Sequence, residues 1–150
     1  IGGKSAKQLI SEMKAAGIKI ADNIKSMLKS RKFVPGKNRE EITLIHLTVA
    51  DLGFKSSATT DQIYERAQIL ELELCPADAG PELRLKYRNQ PLNEWICMGM
   101  KQITASDGRP NVFNLERNDG GLWLGDSWTK PGLKWDPDSK FIFRLRKSEF

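Results

Sequence analysis

Residues 112–128 read VFNLERNDGGLWLGDSW, and this stretch decides the class of fold that the sequence predicts. Two runs rich in apolar and aromatic residues, 112–117 and 122–128, flank the sequence Asn118-Asp119-Gly120-Gly121. Asn, Asp and Gly at such a junction are typical of a tight hairpin connection, because they adopt left-handed backbone conformations readily. The stretch therefore predicts two neighbouring antiparallel strands.

Three further segments of the C-terminal half have strand-like patterns. Residues 83–88 alternate apolar and basic side chains, residues 95–100 form a continuous apolar run, and residues 141–145 alternate again. Turn-forming residues separate all five segments, and short connections favour antiparallel pairing of sequence neighbours. We therefore predict a five-stranded antiparallel β-meander, built either as an open sheet or as a small barrel.

Amphipathic helices precede these strands, which makes the predicted fold class α+β. Ser5 followed by Gln8 fits a capping box, and apolar residues then recur at helical spacing until Gly17. A second apolar stripe runs through residues 20–28, and a second capping box at residues 59–62 begins a further helix. The sequence thus predicts N-terminal helices followed by the sheet.

One segment, Pro35-Gly36-Lys37-Asn38, has the composition of a linker. It divides the chain into a basic helical segment, 1–34, and an α+β domain, 38–150. The alternative is one single domain covering 1–150. If the division is real, limited proteolysis should cut first at this exposed Pro-Gly turn.

The charge of the chain is distributed unevenly. Its 150 residues carry a formal net charge of +5, from 24 Lys and Arg and 19 Asp and Glu. Residues 1–40 contain ten of the cations and three of the acids, so the remainder contains fourteen cations and sixteen acids. A basic segment can attract phosphates or an acidic partner, although cations at helix ends also have a purely structural explanation.

Several classes of function lack the residues that they need. Cys75 and Cys97 lie outside any Cys-x-x-Cys motif, and His46 is the only histidine, so we expect no bound metal and no cofactor. The segment Gly2-Gly3-Lys4-Ser5 lacks the first glycine of a phosphate-binding loop. No apolar run approaches the roughly 20 residues of a membrane span, so we expect a cytoplasmic protein that does not bind membranes.

The predicted sheet suggests a binding surface. If all strands turn their apolar side chains to one core, their other side chains share the opposite face. Cations interleaved with an aromatic ring suit single-stranded nucleic acid or an acidic protein partner, although arginine stems also pack over Trp rings for structural reasons. The candidate binding residues are Arg84, Lys86, Arg88, Trp123, Arg144 and Arg146.

Three segments resemble a family of small uncharacterised bacterial proteins. They are TTDQIYERA at 59–67, LELCP at 72–76 and GPELRLKY at 80–87, and the likeness continues through Trp95, residues 122–124 and residues 141–147. The resemblance implies a bacterial origin, but it implies no activity and no site. The family pattern predicts a glycine near position 71 or 72, where this chain has Glu71 and Leu72.

The leading hypothesis is a non-enzymatic binding module that uses the basic, Trp-containing sheet face. A small nuclease-like toxin that uses His46 with Arg or Lys residues is an alternative, and the surroundings of His46 discriminate it. A carbohydrate-binding sheet is another, which a ligand stacked on Trp123 or Trp128 would favour.

Overall fold

A computed structural model describes residues 1–130 and 132–146 of the chain. Its helices are α1 (Ala6–Ala15), α2 (Asp22–Lys29), α3 (Thr60–Ile69) and α4 (Ala79–Lys86), with a 3₁₀ turn at Ala50–Leu52. Its strands are β1 (Lys19–Ile20), β2 (Leu44–Thr48), β3 (Ala58–Thr59), β4 (Leu72–Glu73), β5 (Trp95–Met98), β6 (Ile103–Thr104), β7 (Pro110–Asn118), β8 (Gly121–Trp128), β9 (Lys134–Trp135) and β10 (Lys140–Leu145).

Eight of these strands form one open, mixed sheet. Six of them follow each other in the order β1-β8-β7-β5-β10-β2, while β4 pairs with β10 and β6 pairs with β7. Strands β1 and β8 are parallel, as are β10 and β5, and the other pairs of this sheet are antiparallel. Strands β3 and β9 form a separate antiparallel pair.

The predicted antiparallel meander is wrong, although the α+β class is correct. Strand β10 does not pair with β8, the strand of the large sheet that precedes it in sequence. It lies between β5 and β2, where Phe141 has Cys97 and Leu47 as its neighbours on the two sides. Residues 141–143 are buried on both faces of the sheet, which suits a central strand better than an edge strand.

The predicted strand over residues 83–88 is also wrong, because most of this segment belongs to α4. Pro81 lies in the first turn of this helix, where its missing amide hydrogen breaks no helical hydrogen bond. Glu82 near the start and Lys86 at the end complement the helix dipole. The alternation predicts buried leucines and an exposed arginine between them. Instead, Leu83 and Leu85 are half-buried and Arg84 is fully buried.

Local signals for helix ends and for the hairpin are confirmed. The Ser5 hydroxyl accepts the amide of Gln8 at 3.1 Å, which is one half of the predicted capping box, and Thr59 forms a complete capping box with Gln62. Gly17 follows α1 with a positive φ of 74°, and β8 pairs with β7 along its whole length. Glu71 has a φ of 65°, the left-handed conformation that glycine favours, at one of the two positions near which the resemblance predicts a glycine.

The sheet is covered on both faces. Helices α1, α2 and α4 pack on one face, which we call the helical face, around a core that includes Leu9, Met13, Ile24, Phe113 and Leu124. Helix α3 and Trp135 cover part of the opposite face, with Ile63, Phe141 and Phe143 in a second core. No helix in the described part of the chain combines the length and the apolarity required to cross a bilayer.

The division of the chain at residues 35–38 into two units stays a prediction. It can be tested quantitatively because residues of α1 and of the sheet lie in the same core. Leu9 is fully buried, so Leu9→Ala should lower the free energy of unfolding by about 2–5 kcal/mol. All four Trp residues lie between positions 95 and 135, so Trp fluorescence during urea unfolding reports on the sheet. If α1 and the sheet are one unit, the fluorescence transition should shift to lower urea.

The matched control is Leu70→Ala, because the Leu70 side chain is 50% exposed and its removal should change stability by about 0.5 kcal/mol or less. An unchanged fluorescence transition in Leu9→Ala would mean that residues 1–34 fold separately from the sheet.

Candidate functional site

The structure does not gather the six predicted binding residues on one sheet face. Arg84 and Lys86 lie on α4, and Arg88 follows it. Arg144 lies on β10, where it pairs with Glu40 at 3.2 Å. Arg146 pairs with Glu73 at 3.6 Å. The six predicted positions are Arg84, Lys86, Arg88, Trp123, Arg144 and Arg146. The alternation of residues 83–88 had placed three of them on a strand that the chain does not form.

Arg84 is a structural cation inside the molecule. Its side chain is fully buried, and its guanidinium donates to Gln90 Oε1 at 2.6 Å and to the backbone oxygens of Glu116 (3.4 Å) and Trp123 (3.3 Å). It also donates to the backbone oxygen of Tyr87. Burial lowers the pKa of Arg84 to about 10, so it stays charged at neutral pH. Carbonyl dipoles thus hold this charge and fasten the end of α4 to the β7–β8 hairpin.

Trp123 is half-buried, and its polar group is already engaged. Its indole Nε1–H donates to Asn118 Oδ1 at 2.9 Å, within the hairpin that the two residues belong to. The ammonium group of Lys19 lies 5.3 Å from its ring centroid. Trp123 therefore contributes to the local packing of β1 on β8, and its half-buried ring is less accessible to a ligand than an exposed one would be.

The structure brings a different set of cations together at one end of the sheet. Two adjoining cavities of about 540 and 350 Å³ lie between the segment after α2 and the segment after β5, and the smaller one extends to the start of α3. The two cavities have five lining residues in common. We call them the basic groove, and the shared residues are Lys32, Leu74, Met100, Lys101 and Gln102. Leu74 and Met100 give the groove apolar wall, and the two lysines are exposed at its surface.

Trp128 and two more cations lie at the end of β8, to which one residue of the groove is hydrogen-bonded; none of the three lines the two cavities. Gln102 in the groove donates to the backbone oxygen of Thr129 at 2.7 Å, which ties the groove to the end of β8. The Trp128 side chain is 40% exposed, and its ring centroid lies 4.8 Å from the Arg109 guanidinium and 5.9 Å from the Lys130 ammonium. An accessible indole with two cations near its ring is therefore present one residue before the point where Gln102 of the groove bonds to the chain.

These four cations keep their charge available. Across residues 1–130 and 132–146, the ion pairs involve none of Lys32, Lys101, Arg109 and Lys130. Three acids lie near them: Asp61 lines the narrower cavity, Asp107 accepts the backbone amide of Arg109 at 2.9 Å, and Asp126 accepts, like Asp107, from the side-chain amide of Asn23. Cations thus outnumber acids four to three, with the excess on the side of Lys32 and Lys101.

The described residues near the groove are poor candidates for nucleophiles. Burial raises the pKa of Cys75 and of Cys97 to about 12, so both thiols stay protonated at neutral pH. Burial also raises the pKa of Tyr64, whose hydroxyl is hydrogen-bonded to the backbone of Met100. Within the described chain, His, Cys, Asp and Glu side chains form no group of three that could hold a metal ion.

His46 is exposed on β2 and lines neither the basic groove nor the cleft between residues 39–44 and α4. Its neighbours include Asp51, whose pKa is lowered by hydrogen bonds with Thr48 and, to a smaller extent, by His46. Burial alone would raise the pKa of nearby Glu94, but a hydrogen bond from Tyr87 and the Lys140 ammonium at 3.2 Å outweigh it. His46 therefore has charged neighbours but lies outside the five cavities found between the described residues.

Comparison of the chain with protein-family models, with curated proteins and with solved structures gave no match. The resemblance to small bacterial proteins stays a prediction, and any function must be argued from the geometry of the chain itself.

The burial of Arg84 can be tested by stability. Arg84→Met should lower the free energy of unfolding by about 3 kcal/mol, because it leaves several buried carbonyl groups without their donor. Arg88→Met makes the same chemical change at an exposed position and should cost about 0.5 kcal/mol or less. Urea unfolding of both variants measures the difference. Equally small effects of the two substitutions would indicate that Arg84 is exposed, as the sequence pattern predicts.

Proposed function

We propose that the protein is a non-enzymatic module that binds single-stranded nucleic acid along the basic groove, with a base stacked on Trp128. The observation that carries this proposal is the exposed indole of Trp128 with Arg109 and Lys130 near its ring, at the end of the strand to which Gln102 of the groove bonds. Lys32 and Lys101 of the groove add two cations that form no ion pair with any residue of the described ranges. The proposal keeps the class of function that the sequence indicates but moves the site from the sheet face to the end of the sheet.

The chemistry of the groove favours a flexible nucleic acid over the other ligands. Phosphates pair with exposed lysines regardless of sequence, and an unpaired base can stack on an indole. In a duplex the bases are already stacked on one another, so Trp128 would contribute little. An acidic protein would use the same cations but would not need the aromatic ring, and a neutral sugar would need the ring but not the cations.

Variants of the groove separate the two contributions. With fluorescently labelled oligothymidylate at low salt, Trp128→Ala should weaken binding by about 1–3 kcal/mol without changing the salt dependence, because it removes one stacked base. Lys101→Glu should weaken binding about tenfold or more and also reduce the slope of log affinity against log salt, because it removes a phosphate contact. Fluorescence anisotropy at several salt concentrations measures both effects.

Lys86→Glu is the matched control, because it reverses an exposed charge on α4, outside the groove. At about 0.15 M salt it should leave affinity within about threefold of the unaltered protein, because the reversal of one distant charge is then largely screened. Three results would contradict the proposal: absence of binding at low salt, an equal loss in Lys86→Glu and Lys101→Glu, or binding that is indifferent to both Trp128→Ala and salt. Heparin binding that does not depend on Trp128 would point to general polyanion attraction.

A further inference from the structure

The two edges of the large sheet differ in how they are protected. On one side, β1 is only two residues long, and the chain turns directly into α2 after the Ala21 amide bonds to Leu124. On the other side, β2 is five residues long and, within the described chain, pairs only with β10. Open edges of this kind are templates for another strand, and proteins usually protect them with proline, lysine or a bulge. Residues 44–48 contain neither proline nor lysine.

Hydrogen bonds at both ends of β2 establish which backbone groups face outward. The Leu145 amide donates to the carbonyl of Thr43, and the Val49 amide donates to the carbonyl of Ser139. In an antiparallel ladder, alternate residues turn both backbone groups to the same side. The amide and carbonyl groups of Leu44 and His46 therefore point away from β10. Thr48 also points outward, but Asp51 Oδ2 accepts its amide at 2.8 Å and so closes that end of the edge.

A cleft of about 670 Å³ begins beside this free edge. It lies between the chain at 39–44 and α4, on the helical face. Ile42, Leu44, Ala79 and Leu83 form an apolar part of its wall, and charged side chains form the rest: Arg39, Glu40, Glu41, Glu82 and Lys86. A strand added to β2 would direct every second side chain toward the helical face, on which this cleft lies.

We propose that the edge of β2 binds an extended peptide segment of another protein, which adds to the sheet as a further strand and places an apolar side chain in this cleft. Main-chain hydrogen bonds to Leu44 and His46 would give affinity, and the cleft would give specificity. This inference rests on the sheet edge and does not depend on the basic groove.

The charges beside the edge specify a basic peptide and disfavour a second copy of the chain. Glu41 precedes β2 and Asp51 follows it, and both are exposed. In antiparallel self-pairing centred on His46, Glu41 of one copy would face Asp51 of the other, and two carboxylates would repel. A peptide with a cation at each end meets the same carboxylates favourably. Arg144 and Lys140 on the neighbouring strand are already paired with Glu40 and Glu94.

The synthetic peptide acetyl-KTVTVTK-amide is the probe for this edge. Added to the ¹⁵N-labelled protein, it should shift the Leu44 and His46 amide resonances and slow their hydrogen exchange. The matched peptide acetyl-ETVTVTE-amide should bind several-fold more weakly, and the gap should shrink as salt screens the carboxylates. Equal binding of the two peptides would overturn the choice of a basic partner.

A pair of substitutions at one position tests the backbone contacts. His46→Thr keeps the outward amide and should retain binding, whereas His46→Pro removes it and should weaken binding about tenfold or more. If His46→Pro does not fold, a peptide with N-methylated valines applies the same test to the unaltered protein. Unshifted Leu44 and His46 resonances at millimolar peptide would overturn the proposal. So would sedimentation of the free protein as a dimer with these two amides already protected.

Discussion

The insertion of β10 between β5 and β2 is the constraint on which the rest of the structure depends. Phe141 and Phe143 fill the core under α3, while Ile142 joins the core under the other helices. The backbone of the same strand bonds to β5 on one side and β2 on the other. One segment near the end of the chain thus unites both cores, and its place makes β2 an edge strand.

The strand directions also create the candidate site. Strand β7 is antiparallel to both β5 and β8, so the C-terminal ends of β5 and β8 lie at the same end of the sheet as the start of β7. Lys101 follows the first of these strands, Lys130 follows the second, and Arg109 precedes β7. Strand topology therefore brings cations that are far apart in sequence to the end of the sheet where Trp128 lies.

Features that depend on neighbouring residues could be predicted from the sequence, and those that depend on distant pairing could not. Ser5, Thr59 and the turn at 118–121 act through bonds to residues two to four positions away. The apolar pattern of 141–145 indicates a buried strand but says nothing about which strands flank it. The alternation at 83–88 failed because a helix that is buried on several sides loses its 3.6-residue polarity. The same error assigned the buried Arg84 to a binding face. The strand pattern places Trp128 on the same side as Leu122 and Leu124 and so indicates a core residue, but Trp128 is exposed because it lies at the end of β8.

The most direct test of the central claim is a map of the ligand contacts by ¹H–¹⁵N NMR during titration with oligothymidylate. The account predicts that the shifts concentrate on the indole N–H of Trp128 and on the amides of Lys101, Gln102 and Lys130. The amides of residues 84–88 and 144–146 should not move. Shifts centred on those two segments, or no shifts at low salt, would contradict the assignment of the basic groove as the binding site.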